Sequence, residues 1–233
     1  MLILINAAVI SKLLKIFRRG NYGVNAVFLD IDGVLNSYGT TPETRSKSRC
    51  GNCIGIDKDK VKRLAKIVKE TDAILILSSS WKIGWEPKGN YNMEPTGIYN
   101  ESPNYHAKYL DNHLKKKGKL ILKDKTRERD LRYRGNGIKG YLIQHPEITN
   151  WIVLDDEIFI DFKEQDILPH LLQINPLYGL TDDDAEIAIK MLKGQVQGPY
   201  KGGPHKLEDI DPFNSSSVDV ILKKEAGPAN KEI

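Results

Sequence analysis

The sequence is poor in cysteine, with only Cys50 and Cys53 among its 233 residues. Two thiols argue against a small secreted fold held by disulfides and favour a reducing, cytoplasmic setting. They form a lone Cys-x-x-Cys. Structural zinc takes four ligands, usually with a second pair at comparable spacing. Here there is no second pair, and His106, His113, His145, His170 and His205 are scattered. A redox pair more typically opens a helix after a strand, whereas this one lies in a polar stretch without helical period. Neither metal nor redox chemistry is favoured for it.

Long apolar runs are missing as well. Residues 1–10 are apolar except for Asn6, about half of the ~20 residues that a membrane-spanning helix needs. No basic residues precede this run and no small-residue cleavage site follows it, so it does not read as a signal peptide. Lys12, Lys15, Arg18 and Arg19 come after it. Residues 1–23 therefore read as an N-terminal apolar and basic extension, either an amphipathic helix packed on the domain or a poorly ordered segment. The alternative is a weak peripheral membrane contact through residues 1–19.

What is present suits one full domain with additions. The chain is 40 % hydrophobic, which is adequate for a substantial core, and its net charge of +4 is mild. Short apolar runs alternate with helical patterns. A first strand is expected over about 26–31, a helix over 57–70 with Val61, Leu64, Ile67 and Val68 on one face, and a buried strand over 73–77. Residues 82–104, rich in Gly, Pro, Asn and Tyr, read as an insert too long for a plain connection. A helix over 105–117, a third strand over 119–122, a short helix over 137–145, a fourth strand over 151–154 and a fifth over 171–174 follow. Residues 181–192 form the last helix, with Thr181 as its cap and Asp182, Asp183 and Asp184 at its positive end. Such alternation predicts an α/β fold with a mostly parallel sheet flanked by helices. The domain is expected over 24–194. Residues 195–233 are read as a flexible tail, with 218–222 as a short strand at most.

In a parallel α/β sheet, ligands bind beyond the carboxyl ends of the strands. Three of the expected strand ends carry chemistry: Asp30 and Asp32 before Gly33, Ser78 to Ser80 before Trp81, and Asp155 with Asp156. Residues two apart on a strand share a face, so a strand continuing to Asp32 would present two negative charges together. Such a pair needs a cation or a proton. Taken singly, Asp32-Gly33 is a common turn pair, Ser78–Ser80 a possible helix cap and Asp155-Asp156 a possible solvated acid pair.

The segments Phe-Leu-Asp-Ile-Asp-Gly-Val-Leu-Asn, Leu-Ser-Ser-Ser-Trp-Lys, Arg-Gly-x-x-Ile and Ile-Val-Leu-Asp-Asp, in that order, resemble the motifs of the haloacid dehalogenase-like (HAD) hydrolases. The later Tyr-Gly-Leu-Thr-Asp-Asp-Asp-Ala fits too, and the resemblance covers roughly 24–193. The wording is closest to the HAD phosphatase domains associated with RNA-repair proteins. The resemblance implies a Rossmann-like HAD core, with Asp30 as the nucleophile that becomes an aspartyl phosphate and Asp32 as the proton carrier. It implies Mg²⁺ held by Asp30, the Asp32 carbonyl, Asp155 and Asp156. It implies Ser78, helped by Ser79, on the substrate's phosphate. The basic residue of the third motif is either Arg134, just before a helix, or Lys139, one turn inside it; the subgroup favours Arg134.

Two features bear on the substrate. Residues 115–139 carry Lys115, Lys116, Lys117, Lys119, Lys123, Lys125, Arg127, Arg129, Arg132, Arg134 and Lys139. This stretch could draw in RNA or DNA ends, or be an ordinary solvated face. Trp81, Trp85, Tyr91, Tyr99 and Tyr105 could stack a base or, as is commoner, anchor the insert to the core. Both the 37–56 loop and the insert are short for a capping domain, so the cap is expected to be minimal and the site open. The leading expectation is a phosphomonoesterase acting on nucleotide or nucleic-acid terminal phosphates. The alternatives are a small-metabolite phosphatase and a non-catalytic HAD-like module that binds nucleic acid.

Overall fold

The computed structural model describes residues 23–40, 55–83, 85–87, 103–128 and 130–203. The expectations for the N-terminal extension, Cys50 and Cys53, most of the insert and the 218–222 strand lie outside these residues.

At the centre is β1 (Val24–Leu29), an apolar run with four successive buried residues. A strand buried on both faces needs neighbours on both edges and helices above and below. β2 (Ile74–Leu77) pairs with it on one side and β4 (Ile148–Asp155) on the other, both parallel. β3 (Leu122–Lys125), β5 (Leu171–Gln173) and β6 (Tyr200–Lys201) complete a six-stranded, all-parallel sheet in the order β3-β2-β1-β4-β5-β6.

The period of two along each strand sorts the core into two layers. Val27, Leu29, Leu75, Leu77, Ile152, Leu154 and Leu172 face one side, where they meet α1 (Lys58–Thr71), α2 (Pro103–His113) and α4 (Asp182–Leu192). Ala26, Phe28, Ile76, Val153 and Leu171 face the other, against α3 (Arg134–Gln144) and Phe162. This is the Rossmann-like α/β sandwich expected of the sequence. α1 and α4 are further tied by Arg63–Asp182 at 2.9 Å and by Lys66–Glu186.

Local signals account for most of the boundaries. Asp57 caps α1 by accepting from Asp59 N and Lys60 N. Thr181 caps α4 in a reciprocal box with Asp184. Three differences from the sequence reading bear on the site and the sheet. β1 stops at Leu29, so Asp30 and Asp32 do not share a strand face. Gly33, at φ 71°, starts a tight turn there, and a side chain at that position would collide with the Asp156 carboxylate. β3 begins at Leu122, because Lys119 takes a left-handed conformation that ends the preceding turn (Leu114–Gly118). Tyr200–Lys201 pairs with β5, so the sheet gains a strand inside the region read as tail.

Candidate active site

The register brings the three chemical strand ends into one row. Leu29 is paired with Leu77 on one side and with Leu154 on the other. The next residues continue that ladder: Ser78 N donates to Leu29 O at 2.8 Å, and Asp30 N donates to Leu154 O at 2.9 Å. Ser78, Asp30 and Asp155 thus stand side by side at the carboxyl ends of β2, β1 and β4.

Arg134 closes this row from the side. It is the first residue of α3 and is buried, with its guanidinium 4.1 Å from the Phe159 ring centroid. Its Nη1 lies 3.1 Å from Asp30 Oδ1 and is also bonded to Asp155 Oδ2. Its place is set from outside the helix. Asp161, itself buried, accepts from Gly135 N at 3.1 Å and Asn136 N at 2.7 Å, capping α3 through a residue 25 or 26 positions downstream. Lys139 goes elsewhere. It is exposed on α3, and its charge acts on His170, just before β5 at the opposite end of the sheet.

Asp30, Asp155 and Asp156 offer carboxylate oxygens within 4.8 Å of one another. Burial pushes the Asp30 carboxyl up to about 7, against the pull of Arg134 and the Ser79 hydroxyl bonded to it. Asp155 is raised by its burial and by the Asp30 charge, which together outweigh Arg134. Burial and the neighbouring Glu157 raise Asp156 to about 6. Burial alone would lower Arg134, but Asp155 and Asp30 hold it above its usual range. One guanidinium among three carboxylates leaves excess negative charge. That imbalance and the hard-oxygen donor set fit a divalent cation such as Mg²⁺.

Asp32 is not one of these three, although its charge also raises Asp30 and Asp156. It is exposed and takes its hydrogen bonds from Trp81 and Asn36, both buried, at 2.8 Å each. Ser78 is fully buried, and its hydroxyl has no hydrogen-bond partner; the same holds for Arg134 Nε. A buried polar group without a partner costs about 1–3 kcal/mol, so both groups are suited to receive an anion.

Sequence reasoning also missed a buried ion pair here. Lys82 is buried, donates to Thr126 Oγ1 at 3.0 Å and pairs with Glu128, whose side chain is 2 % exposed. Burial lowers Lys82 despite this pairing with Glu128. Only the position of Lys82 straight after Ser-Ser-Ser-Trp hints at a role. Glu128 lies against Gly137 of α3, where any side chain would collide with it.

The features offered for substrate binding divide. Trp81 and Trp85 are buried, with indole N–H groups bound to Asp32 and, at 3.0 Å, to Asp111. They anchor the chain and present no open face for stacking. Tyr91, Tyr99 and the Tyr105 side chain lie outside the described residues. The basic stretch does not form one surface. Lys115 to Lys119 precede β3, while Arg127, Arg132 and Arg134 follow it, at opposite ends of the sheet. At the carboxyl end, Lys125 pairs with Glu86, Arg127 with Asp124, and Arg132 with Asp130 through two nitrogens. A separate groove of about 390 Å³ runs along the outside of α3 between Arg127, Tyr133 and His145, and none of the site aspartates lines it. No helix among the described residues is long and apolar enough to cross a membrane.

Fold and site together define a HAD-like hydrolase core. The comparisons place the chain within that class: the family described as the HAD domain in Swiss Army Knife RNA repair proteins matches residues 26–185. The chain belongs to this family. No curated protein and no solved structure matches it.

Proposed function

We propose that the protein is a Mg²⁺-dependent phosphomonoesterase that acts through an aspartyl phosphate on Asp30. The observation that carries this reading is the buried, unpartnered Ser78 hydroxyl next to Asp30 in the ladder, with Arg134 Nε also unpartnered. Together they offer two donors to a phosphoryl group beside a carboxylate nucleophile.

In the first step an Asp30 oxygen bonds to phosphorus, the ester P–O bond breaks, and the leaving oxygen takes a proton from Asp32. In the second step Asp32 takes a proton from water as the water oxygen bonds to phosphorus. The Asp30–phosphorus bond then breaks and inorganic phosphate leaves. Ser78, with Ser79 beside it, and Arg134 bind and orient the phosphoryl oxygens throughout. Asp30, Asp155, Asp156 and the Asp32 carbonyl would hold the metal, which when bound offsets negative charge on the phosphoryl group. The raised Asp30 carboxyl makes this neutralisation more than incidental, since the nucleophile must be ionised to attack.

Membership of an RNA-repair family supports a nucleotide or nucleic-acid terminal phosphate as substrate. A second reading, a small-metabolite phosphatase, is favoured by the pairing of Lys125, Arg127 and Arg132 within the protein. The intact Asp30, Asp32 and Asp155 argue against a purely binding role. A substrate panel decides between them: 5′- and 3′-phosphorylated oligonucleotides, mononucleotides and sugar phosphates, each with Mg²⁺ and with chelator. Release of phosphate from oligonucleotide ends, lost with chelator and in Asp30→Asn, is the expected result. Turnover of small metabolites alone would select the second reading, and turnover of no ester would overturn both.

A further inference from the structure

The turn after β2 reaches both aspartates. Ser79 bonds Asp30 through its hydroxyl, and two residues later the Trp81 indole N–H donates to Asp32 Oδ2 at 2.8 Å. The turn is closed on itself, since Trp81 N donates to Ser79 Oγ at 3.4 Å. From the β1 side, Asn36 Nδ2 donates to the other oxygen, Asp32 Oδ1, at 2.8 Å. The orientation of that amide is settled by its far end, where Asn36 Oδ1 accepts from Gly33 N at 2.9 Å. A flipped amide would set an acceptor against the carboxylate and a donor against the Gly33 N–H.

An exposed aspartate on a turn ordinarily samples several rotamers. Asp32 instead has one buried donor on each oxygen, 8 % exposed for Trp81 and 2 % for Asn36. A carboxylate has about four lone-pair directions. The two donors occupy one on each oxygen, leaving one on each for a proton. The two hydrogen bonds, one to each oxygen, hold the carboxylate in a single orientation.

We infer that Trp81 and Asn36 are positioning residues that lock the Asp32 carboxylate for proton transfer to the leaving oxygen. The inference rests on the phosphatase reading. It gives the Trp of the Ser-Ser-Ser-Trp segment a chemical role. Ser78 serves the phosphate, Ser79 the nucleophile and Trp81 the proton carrier.

Trp81→Phe keeps an aromatic ring in the core and removes the indole N–H together with its five-membered ring. The test is kcat/KM, which reports the first bond-breaking step, across aryl phosphates from nitrophenyl to methylphenyl. Nitrophenolate leaves with little need of a proton, whereas the more basic methylphenolate needs one. The loss in Trp81→Phe is expected to be roughly tenfold greater for methylphenyl than for nitrophenyl phosphate, less than the about 10²–10⁴-fold that positioned proton transfer supplies, because Asp32 itself remains. Asn36→Ser, which removes the donor on the other oxygen, is expected to show the same split and serves if Trp81→Phe does not fold. In an Asp32→Asn background the extra loss should vanish, because residues acting through one group are not additive. An equal loss for all leaving groups, or a full additional effect on top of Asp32→Asn, would overturn the lock while leaving the phosphatase reading in place. A wild-type protein that turns over none of the esters would overturn that reading and the lock with it.

Discussion

Arg134 stands 3.1 Å from Asp30, so the cation proposed to receive the phosphate leans on the carboxylate proposed to attack it. The same nitrogen also bonds Asp155, and the guanidinium lies over Phe159. A lysine could supply the charge but not the fork. Arg134→Ala is expected to lower kcat/KM on the order of 10²-fold or more, as loss of a charge-stabilising donor does elsewhere. Arg134→Lys should recover only part of it. Lys139→Ala should change kcat/KM by no more than about twofold, as expected of a surface residue remote from the site. Steady-state assays of the three variants check this, and a larger effect at Lys139 would reverse the assignment.

The buried Lys82–Glu128 pair predicts a stability effect with a distinctive pattern. Removing one partner leaves a buried charge without compensation, which costs about 3–5 kcal/mol. Lys82→Met should therefore destabilise strongly in urea unfolding. Lys82→Met combined with Glu128→Leu should be closer to wild type than the sum of the single effects. Strict additivity in the double-mutant cycle would show that the pair is not coupled.

Asp161 holds the first turn of α3 from a distance. Asp161→Ala should cost about 1–2 kcal/mol, the range for loss of a helix cap. It should also lower activity, because the capped turn carries Arg134. Urea unfolding and kcat/KM measured on the same variant test both halves. A normal kcat/KM with reduced stability would limit Asp161 to a structural role.

The acidic cluster makes stability depend on pH and metal. Asp30 is raised from about 3.8 to about 7, and Asp155 and Asp156 are raised as well. Between the unfolded and folded values the native protein holds more protons than the unfolded chain, so stability falls as pH rises. With chelator present, the melting temperature should decline from about pH 4 towards pH 7. Mg²⁺ should raise it more at pH 8, where the carboxylates are ionised, than at pH 5, where protons compete. An equal metal effect at both pH values would count against the cluster as the binding site.

Much of this is readable from residues alone, for physical reasons. β1, β2 and β4 announce themselves because strands buried on both faces must be apolar throughout. The caps at Asp57 and Thr181 lie next to the helices they start. The sequence pattern places α3 three residues late because Gly135, Gly137 and Gly140 weaken its helical signal and its cap, Asp161, lies far along the chain. β3 is a short edge strand whose Lys123, Asp124 and Lys125 hide the apolar pattern. β6 is a two-residue pairing that follows from proximity to β5 rather than from composition. In the site, Asp30, Ser78, Asp155 and Arg134 come together as the motif order suggests. That Trp81 holds Asp32, and that Lys82 pairs with Glu128, depends on side-chain directions which no spacing encodes.

The placement of the basic residues around β3 has a consequence for ionic strength. A cation that releases a counterion when it meets a phosphate backbone makes affinity fall steeply with salt. Lys125, Arg127, Arg132 and Arg134 already face carboxylates of their own chain, so they have few counterions to give up. Lys115 to Lys119 lie beyond the other end of the strand. Binding of a phosphorylated strand end at the proposed site should therefore vary only weakly with salt. The protein would hold its substrate by one terminal phosphoryl group, not by the length of the polyanion behind it.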